Sequence, residues 1–266
     1  MTEWNATGYA RIAALQEAMA AEVLGLLHLQ GDEHILDLGC GNGKVTAEIA
    51  QRLPKGSALG IDASSKMIEF ASANFTPPIY PNLQFQTCDI RSLEFHGGFD
   101  LVVSFNALHW IPDQATALHA VRKALKPGGQ AQLRLVPKGK RKSLEDVLEE
   151  TRSSDRWIRY FHDFHDPYLH LTPEQYAALA EQCGFRVLRL STEDQVWDFK
   201  SREAFIAFGS VTFVEWTRNL PESEHLTFIQ DVLDRYRAVA ATRPGEENCF
   251  KFYQMDIQLA PTLSEA

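Results

Sequence analysis

The sequence predicts an α/β fold in which seven strands form a mostly parallel sheet with helices on both faces. Short apolar runs alternate with segments of helical periodicity from residue 34 to residue 136. That alternation is typical of parallel strands joined by helices. A glycine-rich sequence at residues 37–43 follows the first apolar run, at the end of a strand where such sheets bind ligands.

Hydrophobic periodicity places each element of the first half of the chain. The expected order is a helix over 7–28, a strand over 34–38, a helix over 44–52, a strand over 57–61, a helix over 65–74, a strand near 83–86, a strand over 99–105, a helix over 114–124 and a strand around 130–136. The Lys-Pro-Gly-Gly sequence at 126–129 predicts a turn before the last of these strands.

The second half of the chain is richer in aromatic residues with helical spacing. We expect a single domain over 1–266, with an N-terminal helix in 1–30 and a core in 31–136. A helical lid is expected over 137–183 and 200–246. Two late strands, within 184–199 and 247–260, would complete the sheet.

Charge and composition exclude several classes of protein. The net charge of −9 would repel a phosphate backbone, so no nucleic acid partner is expected. No apolar run is long enough to span a bilayer, and the first 16 residues lack the apolar stretch of a secretory signal, which favours the cytoplasm. The cysteines are scattered and the histidines at 162, 165 and 170 lack a carboxylate motif, so neither disulfides nor a metal site is expected.

The spacing of the glycine-rich turn excludes two phosphate-binding motifs. A dinucleotide fingerprint requires a glycine where Lys44 stands, and a P-loop requires Ser or Thr where Val45 stands. The remaining pattern is an acid followed by alternate glycines, and it suits a ligand whose amino-acid portion lies on the glycines. The alternative is a tight packing turn without a ligand.

Two further acids follow the next two predicted strands. Asp62 ends the second strand, where a carboxylate can accept hydrogen bonds from both ribose hydroxyls, although it could instead cap the next helix. Asp89 follows the third strand and could accept an adenine amino group, although taken singly it suits a turn. Three such acids in order, each at the carboxyl end of a strand, favour a nucleoside-bearing ligand.

With these motifs in place, residues 30–136 resemble the class I S-adenosylmethionine-dependent methyltransferases, which have a Rossmann-like fold. The chain is most similar to the subgroup that contains trans-aconitate methyltransferase and juvenile hormone acid methyltransferase. The resemblance rests on Trp4, Asn5, Tyr9, Leu15 and Gln16, on the sequence over 99–113 and on the Leu-Lys-Pro-Gly-Gly sequence over 125–129.

The resemblance implies S-adenosyl-L-methionine as the cofactor and a set of residues around it. The implied set is Tyr9, Gln16, Asp37, Gly39, Cys40, Gly41, Asp62, Ala63, Met67, Asp89, Ile90, Asn106 and Leu108. Within that set, the glycine turn lines the methionine portion, Asp62 holds the ribose, and Ala63 and Met67 flank the adenine. Asp89 and Ile90 contact the adenine edge, and Asn106 and Leu108 lie beside the sulfonium.

The resemblance also implies methyl transfer to a small molecule, with O-methylation of a carboxylic acid as the first hypothesis. A carboxylate is already ionised, so no residue is strictly required as a catalyst. Gln16, His109 and Trp110 are the candidate donors to the acceptor, with Arg159 as a further substrate contact. Two alternatives remain open: O-, N- or C-methylation of a natural-product or lipid-like acceptor with His109 as base, and a non-catalytic partner protein that binds S-adenosylmethionine.

Overall fold

The computed structural model describes residues 21–262 of the chain. Of the predicted helix over 7–28, residues 21–28 are described. Residues 21–25 are helical and residues 26–28 are not, so the helix ends three residues earlier than predicted. The strands are β1 (His34–Leu38), β2 (Ser57–Asp62), β3 (Leu83–Thr87), β4 (Phe99–Phe105), β5 (Leu125–Leu135), β6 (Phe185–Asp198) and β7 (Cys249–Pro261). The α-helices are α1 (Lys44–Gln51), α2 (Ser65–Asn74), α3 (Gln114–Ala124), α4 (Leu144–Arg152), α5 (Pro173–Gln182), α6 (Arg202–Thr212), α7 (Val214–Thr217) and α8 (Glu222–Ala240).

The strands form one sheet in the order β3-β2-β1-β4-β5-β7-β6. The pairs from β3 to β5 are parallel, and β7 runs antiparallel to β5. The prediction of a seven-stranded, mostly parallel sheet is therefore confirmed. The strand order reverses between β1 and β4, and such a reversal opens a crevice at the carboxyl ends of the strands.

Alternate residues of the central strands enter two separate hydrophobic layers. Leu36 and Val102 pack into a cluster with side chains of α3 and α5, whereas Ile35 and Val103 pack with side chains of α1. Strands that are buried on both faces have continuous apolar sequences, which explains why β1 and β4 could be predicted from the sequence.

The described chain divides into two compact units. The core unit contains residues 21–137, Leu169–Glu193 and residues 254–262, and the lid unit contains Lys138–Tyr168 and Asp194–Tyr253. Helix α5, which the sequence analysis places in the lid, therefore belongs with the core. The reason is its buried face, because Tyr176 and Ala180 pack in the same cluster as Leu118 and Val121 of α3.

Aromatic residues fill the interior of the lid unit. The fully buried members are Trp157, Phe199, Phe205, Phe213, Trp216, Phe228 and Tyr236. The indole N–H of Trp157 donates to Asp231 at 2.7 Å, and that of Trp216 donates to Glu149 at 2.6 Å. Most of the aromatic side chains of Lys138–Tyr168 and Asp194–Tyr253 therefore belong to the hydrophobic core of this unit, as expected of large apolar residues.

The Lys-Pro-Gly-Gly sequence forms an irregularity inside β5 rather than a free turn. Phe99 pairs with Leu125, but Leu101 pairs with Gln130, so the register of β5 against β4 shifts across residues 126–129. Gly128 adopts a φ of 83°, which a glycine reaches without strain. The predicted turn at 126–129 therefore lies within the bounds of β5, at this shift of register.

A buried ion pair joins β5 to β7. The Arg134 guanidinium is 2% exposed and donates two hydrogen bonds to Asp256, at 2.8 and 2.7 Å. It also donates to Glu22 in the helical segment 21–25, at 2.8 Å. A buried charge is tolerated when it is paired and fully hydrogen-bonded, and removing one partner exposes the other to the full desolvation penalty.

Replacing this arginine should therefore destabilise the protein far more than replacing an exposed cation on the same strand. We expect Arg134→Met to lower the free energy of unfolding by about 3 kcal/mol, because Asp256 stays buried without its partner. Lys126→Met, which removes the half-exposed pair with Asp100, should cost less than about 1 kcal/mol. Urea unfolding followed by circular dichroism measures both, and equal losses would contradict the argument.

Candidate functional site

The glycine-rich turn leaves β1 at its carboxyl end and leads into α1. Gly39, Gly41 and Gly43 have φ values of 74°, 53° and 78°, which favour glycine at all three positions. The turn is attached to the end of β2, because the Gly39 N–H donates to the Ile61 carbonyl at 2.8 Å and the Cys40 N–H donates to the same oxygen at 2.9 Å.

The glycines differ in what surrounds them. A Cβ added at Gly39 would lie 2.2 Å from the Cβ of Ala107, so this glycine allows the turn to pack against the segment after β4. A Cβ added at Gly41 would meet no atom of the described chain within 4 Å. Residues 21–262 therefore leave the Cβ side of Gly41 uncovered, which fits a ligand lying directly on the turn.

Asp37 lies beneath the turn and is almost completely buried. Burial raises the pKa of its carboxyl group to about 6. A hydrogen bond from Thr46 opposes this rise, and the negative charge of Asp62 adds to it. The Thr46 hydroxyl donates to the carboxylate at 2.6 Å and joins the end of β1 to α1. The structure thus shows Asp37 as an anchor of the turn that also places negative charge below it.

Asp62 holds the turn from the neighbouring strand. Its carboxylate accepts the Gly41 N–H at 3.0 Å through Oδ2 and the Ser64 N–H at 2.8 Å through Oδ1. Helix α2 is capped by Ser64, which accepts the Met67 N–H, so the alternative that Asp62 is the helix cap is wrong. Each carboxylate oxygen keeps a second lone pair, so Asp62 can still accept ribose hydroxyls.

The Asp89 carboxylate is hydrogen-bonded to Arg91, a partner that the sequence did not indicate. The carboxylate accepts the backbone N–H of Arg91 at 2.9 Å and the guanidinium of Arg91 at 2.6 to 3.1 Å. These hydrogen bonds hold the pKa of Asp89 below its usual range. The Asp89 side chain remains 35% exposed, so it can accept a further donor. The side chain of Ile90 is buried, which leaves its backbone groups for any ligand.

The segment after β4 begins with a residue in an unusual conformation. Asn106 has a φ of 58°, in the left-handed region that residues other than glycine seldom adopt. Its N–H donates to the Arg134 carbonyl at 2.9 Å, and its side-chain oxygen accepts from Gln254 at 3.1 Å. The Leu108 side chain is fully buried in the hydrophobic core, so only its backbone could face a cofactor.

His109 and Trp110 lie in the short 3₁₀ turn Leu108–Trp110. Nδ1 of His109 accepts the Val136 N–H at 3.2 Å, so the neutral ring carries its proton on Nε2. Burial lowers the pKa of His109 to about 3, which keeps the ring neutral at physiological pH. The His109 ring is therefore a hydrogen-bond donor at Nε2 and is poorly suited to be a base. Trp110 is half-buried, and its ring centroid lies 5.6 Å from that of His109.

The remaining predicted contacts are dispersed. Tyr9 and Gln16 lie outside the described residues. Ala63 and Met67 are exposed beside Asp62, as an adenine-flanking role requires. Arg159 is exposed in the lid unit, where its guanidinium lies over the Tyr160 ring at 4.8 Å.

Residues 21–262 contain no group of three His, Cys, Asp or Glu side chains placed to bind a metal ion. All four cysteines are free thiols. Among the helices of the described chain, none has the length and apolarity needed to cross a membrane.

Comparison with known proteins identifies what this arrangement resembles. Residues 35–129 match the family described as a methyltransferase domain. Trans-aconitate 2-methyltransferase of Deinococcus radiodurans is 29% identical over 94% of this chain and 95% of its own length. The enzyme of the same name from Methylobacterium radiotolerans is 36% identical over 48% of each chain.

Solved structures share the fold at lower identity. Phosphoethanolamine N-methyltransferase 2 of Haemonchus contortus, in complex with S-adenosyl-L-methionine, superposes with a TM-score of 0.58 and 17% identity over 92% of this chain and 53% of that one. A Bacillus halodurans protein assigned to the methyltransferases superposes with a TM-score of 0.65 and 16% identity, over 92% of this chain and 99% of that one.

The contrast between Gly39 and Gly41 tests whether the glycine-rich turn binds the cofactor. Gly41→Ala should weaken binding of S-adenosylmethionine at least tenfold, since the methyl group enters the open space above the turn, with a loss of about 1 kcal/mol of stability from the left-handed backbone. Gly39→Ala should instead unfold the protein at markedly lower urea concentration, because the methyl group collides with Ala107. Calorimetric titration measures binding, and urea unfolding measures stability. Unchanged binding by Gly41→Ala would contradict the interpretation that the cofactor lies on the glycine-rich turn.

Proposed function

Because this chain is a class I S-adenosylmethionine-dependent methyltransferase, we propose that it transfers the methyl group to a carboxylate oxygen of a small carboxylic acid. The single observation that carries this proposal is the protonation state of His109, whose Nδ1 accepts a backbone N–H and whose pKa lies near 3. A hydrogen-bond donor at this position suits a methyl acceptor that is already ionised when it binds.

The residues around the glycine turn fit the cofactor. In the proposal, the bare backbone at Gly41 lies against the methionine portion, and the carboxylate of Asp62 accepts the ribose hydroxyls with its free lone pairs. Asp37 and Asp62 place negative charge beneath and beside the turn, which favours a cationic ligand. When bound, S-adenosylmethionine supplies a methyl group on a positively charged sulfur that is an excellent leaving group.

The protein is then required mainly to align the acceptor and to exclude water. A carboxylate is ionised at neutral pH and attacks without losing a proton, so its methylation needs no general base. Alignment of two reactants in the right geometry can by itself supply a large part of a rate enhancement. In this proposal His109 and Trp110 act as hydrogen-bond donors that orient the second carboxylate oxygen of the acceptor.

Two other groups at the glycine turn are also poor bases. Burial raises the pKa of the Cys40 thiol far above neutrality, so the thiol stays protonated. The Asp37 carboxyl has a pKa near 6, but it is buried and accepts the Thr46 hydroxyl. These properties disfavour an acceptor hydroxyl or amine, which would have to lose a proton during transfer.

The relatives support the same class of acceptor. The trans-aconitate 2-methyltransferase of Deinococcus radiodurans is named for a carboxylic acid and aligns with nearly the whole chain. At 29% identity the acid itself is free to differ, so the proposal is restricted to the class of acceptor. The acceptor is expected to be a small molecule, in keeping with the relatives' names.

A screen of small carboxylic acids tests this proposal directly. At least one acid should release S-adenosylhomocysteine, and its turnover should be constant between about pH 7 and pH 9, because the acceptor and Asp37 are ionised and His109 is neutral across that range. Asp62→Ala is the matched control and should abolish the signal. A rate that climbs tenfold per pH unit, with amines or phenols as the better acceptors, would exclude carboxyl methylation.

Replacing His109 separates a donor from a base. His109→Gln should keep turnover within about threefold, because the glutamine amide can accept the Val136 N–H and still donate, whereas loss of a general base costs about 10² to 10⁴ in rate. His109→Phe should lower the free energy of unfolding by about 1 to 3 kcal/mol, since the buried Val136 N–H loses its acceptor. Steady-state kinetics with the acid from the screen decides between the two roles.

A further inference from the structure

We propose that Gln254, on β7, is a positioning residue that holds Asn106 in its left-handed backbone conformation and so shapes the cofactor site from a strand two positions away from β4 in the sheet. The inference rests on the proposed place of Asn106 beside the cofactor. Nothing in the sequence near either residue links them, since they are 148 positions apart.

The conformation of Asn106 requires an external cause. A φ of 58° is unfavourable for any residue with a Cβ, and asparagine is among the residues that tolerate it best. Such conformations persist only where the surroundings impose them, and they concentrate at functional sites. Here Asn106 directly follows β4, at the carboxyl edge of the sheet that also carries the glycine turn.

The surroundings of Asn106 impose the conformation through two hydrogen bonds. Its N–H donates to the Arg134 carbonyl at 2.9 Å, which continues the pairing of β4 with β5 by one residue. Its side-chain oxygen accepts Nε2 of Gln254 at 3.1 Å. The first bond fixes the start of the turn, and the second fixes the direction of the side chain.

The orientation of Gln254 is itself determined by the backbone. Nε2 also donates to the Leu135 carbonyl at 2.8 Å, and a carbonyl oxygen can only accept, so the amide nitrogen must face this side. Gln254 is 3% exposed, so no water competes easily for these bonds. One buried amide thus connects the end of β5 to the side chain of Asn106.

The wider neighbourhood favours a positioning role over simple filling of space. Gln254 begins the part of β7 whose register against β5 pairs Met255 with Leu135 and Asp256 with Arg134. The ion pair of Arg134 with Asp256 fixes that register at a buried position. The amide group of Gln254 that donates to Asn106 is consequently held by a rigid strand, and rigid elements are what keep site residues in a precise geometry.

Gln258, four residues further along β7, offers a matched control. Its Nε2 donates to Oε1 of Gln130 on β5 at 2.8 Å, so it makes one part-buried amide hydrogen bond between β7 and β5. It does not reach Asn106 through any bond of the described structure. Replacement of Gln258 therefore reports the cost of losing an amide bond in this part of the sheet alone.

The test is calorimetric titration of the full-length protein with S-adenosylmethionine, which needs no acceptor and is unaffected if the proposed acceptor class is wrong. Gln254→Leu should weaken binding about tenfold, the effect expected from loss of a buried hydrogen bond. Gln258→Leu should change binding less than twofold. The isosteric Gln254→Glu, which creates no cavity but cannot donate to the Leu135 carbonyl when ionised, should weaken binding at least as much.

A double-mutant cycle with Asn106→Gly distinguishes positioning from general stability. Glycine adopts a φ of 58° without support, so Gln254→Leu should have little additional effect on binding in the Asn106→Gly background. Urea unfolding of the cofactor-free variants should show a larger loss for Gln254→Leu, which removes two hydrogen bonds of a buried amide, than for Gln258→Leu, which removes one part-buried bond. Additive effects of Asn106→Gly and Gln254→Leu on binding, or equal weakening by Gln258→Leu, would overturn the proposal.

Discussion

The hydrogen bond from the Gly41 N–H to the Asp62 carboxylate is the constraint on which the rest of the site depends. It joins the turn after β1 to the end of β2, alongside the two backbone bonds to the Ile61 carbonyl. The Asp62 carbonyl in turn accepts the Cys88 N–H at 2.9 Å and brings in the segment after β3. Three strand ends are thus fixed to one another before any ligand binds, and such preorganisation reduces the ordering cost of binding.

The same contacts create an electrostatic imbalance that a cation can relieve. Burial raises the pKa of Asp37, and the charge of Asp62 raises it further. A positively charged ligand on the turn would favour the ionised form of Asp37. The site is therefore better suited to a cationic cofactor with an amino-acid portion than to a phosphate, which agrees with the glycine spacing that excluded both phosphate motifs.

Much of this could be predicted from the sequence where the determinants are local. The strands β1 and β4 are continuous apolar runs, and the turn after β1 has glycines at the positions with positive φ. The partners of the site side chains could not be predicted. Arg91 occupies Asp89 through an ion pair two residues away, and Gln254 reaches Asn106 across 148 residues. The first contact is local but belongs to no recognised motif. The second depends on how the strands are ordered in the sheet.

Burial, rather than residue type, finally decides the chemistry that the site can support. A histidine beside a tryptophan after β4 suggests a base, since an ordinary imidazole titrates near neutrality. In the folded chain the ring is enclosed and its Nδ1 accepts the Val136 N–H, so the proton resides on Nε2 and the pKa falls to about 3. The same enclosure that removes His109 as a base makes it a fixed donor. A buried neutral imidazole that donates from Nε2 fits the proposed anionic acceptor better than an acceptor that must lose a proton.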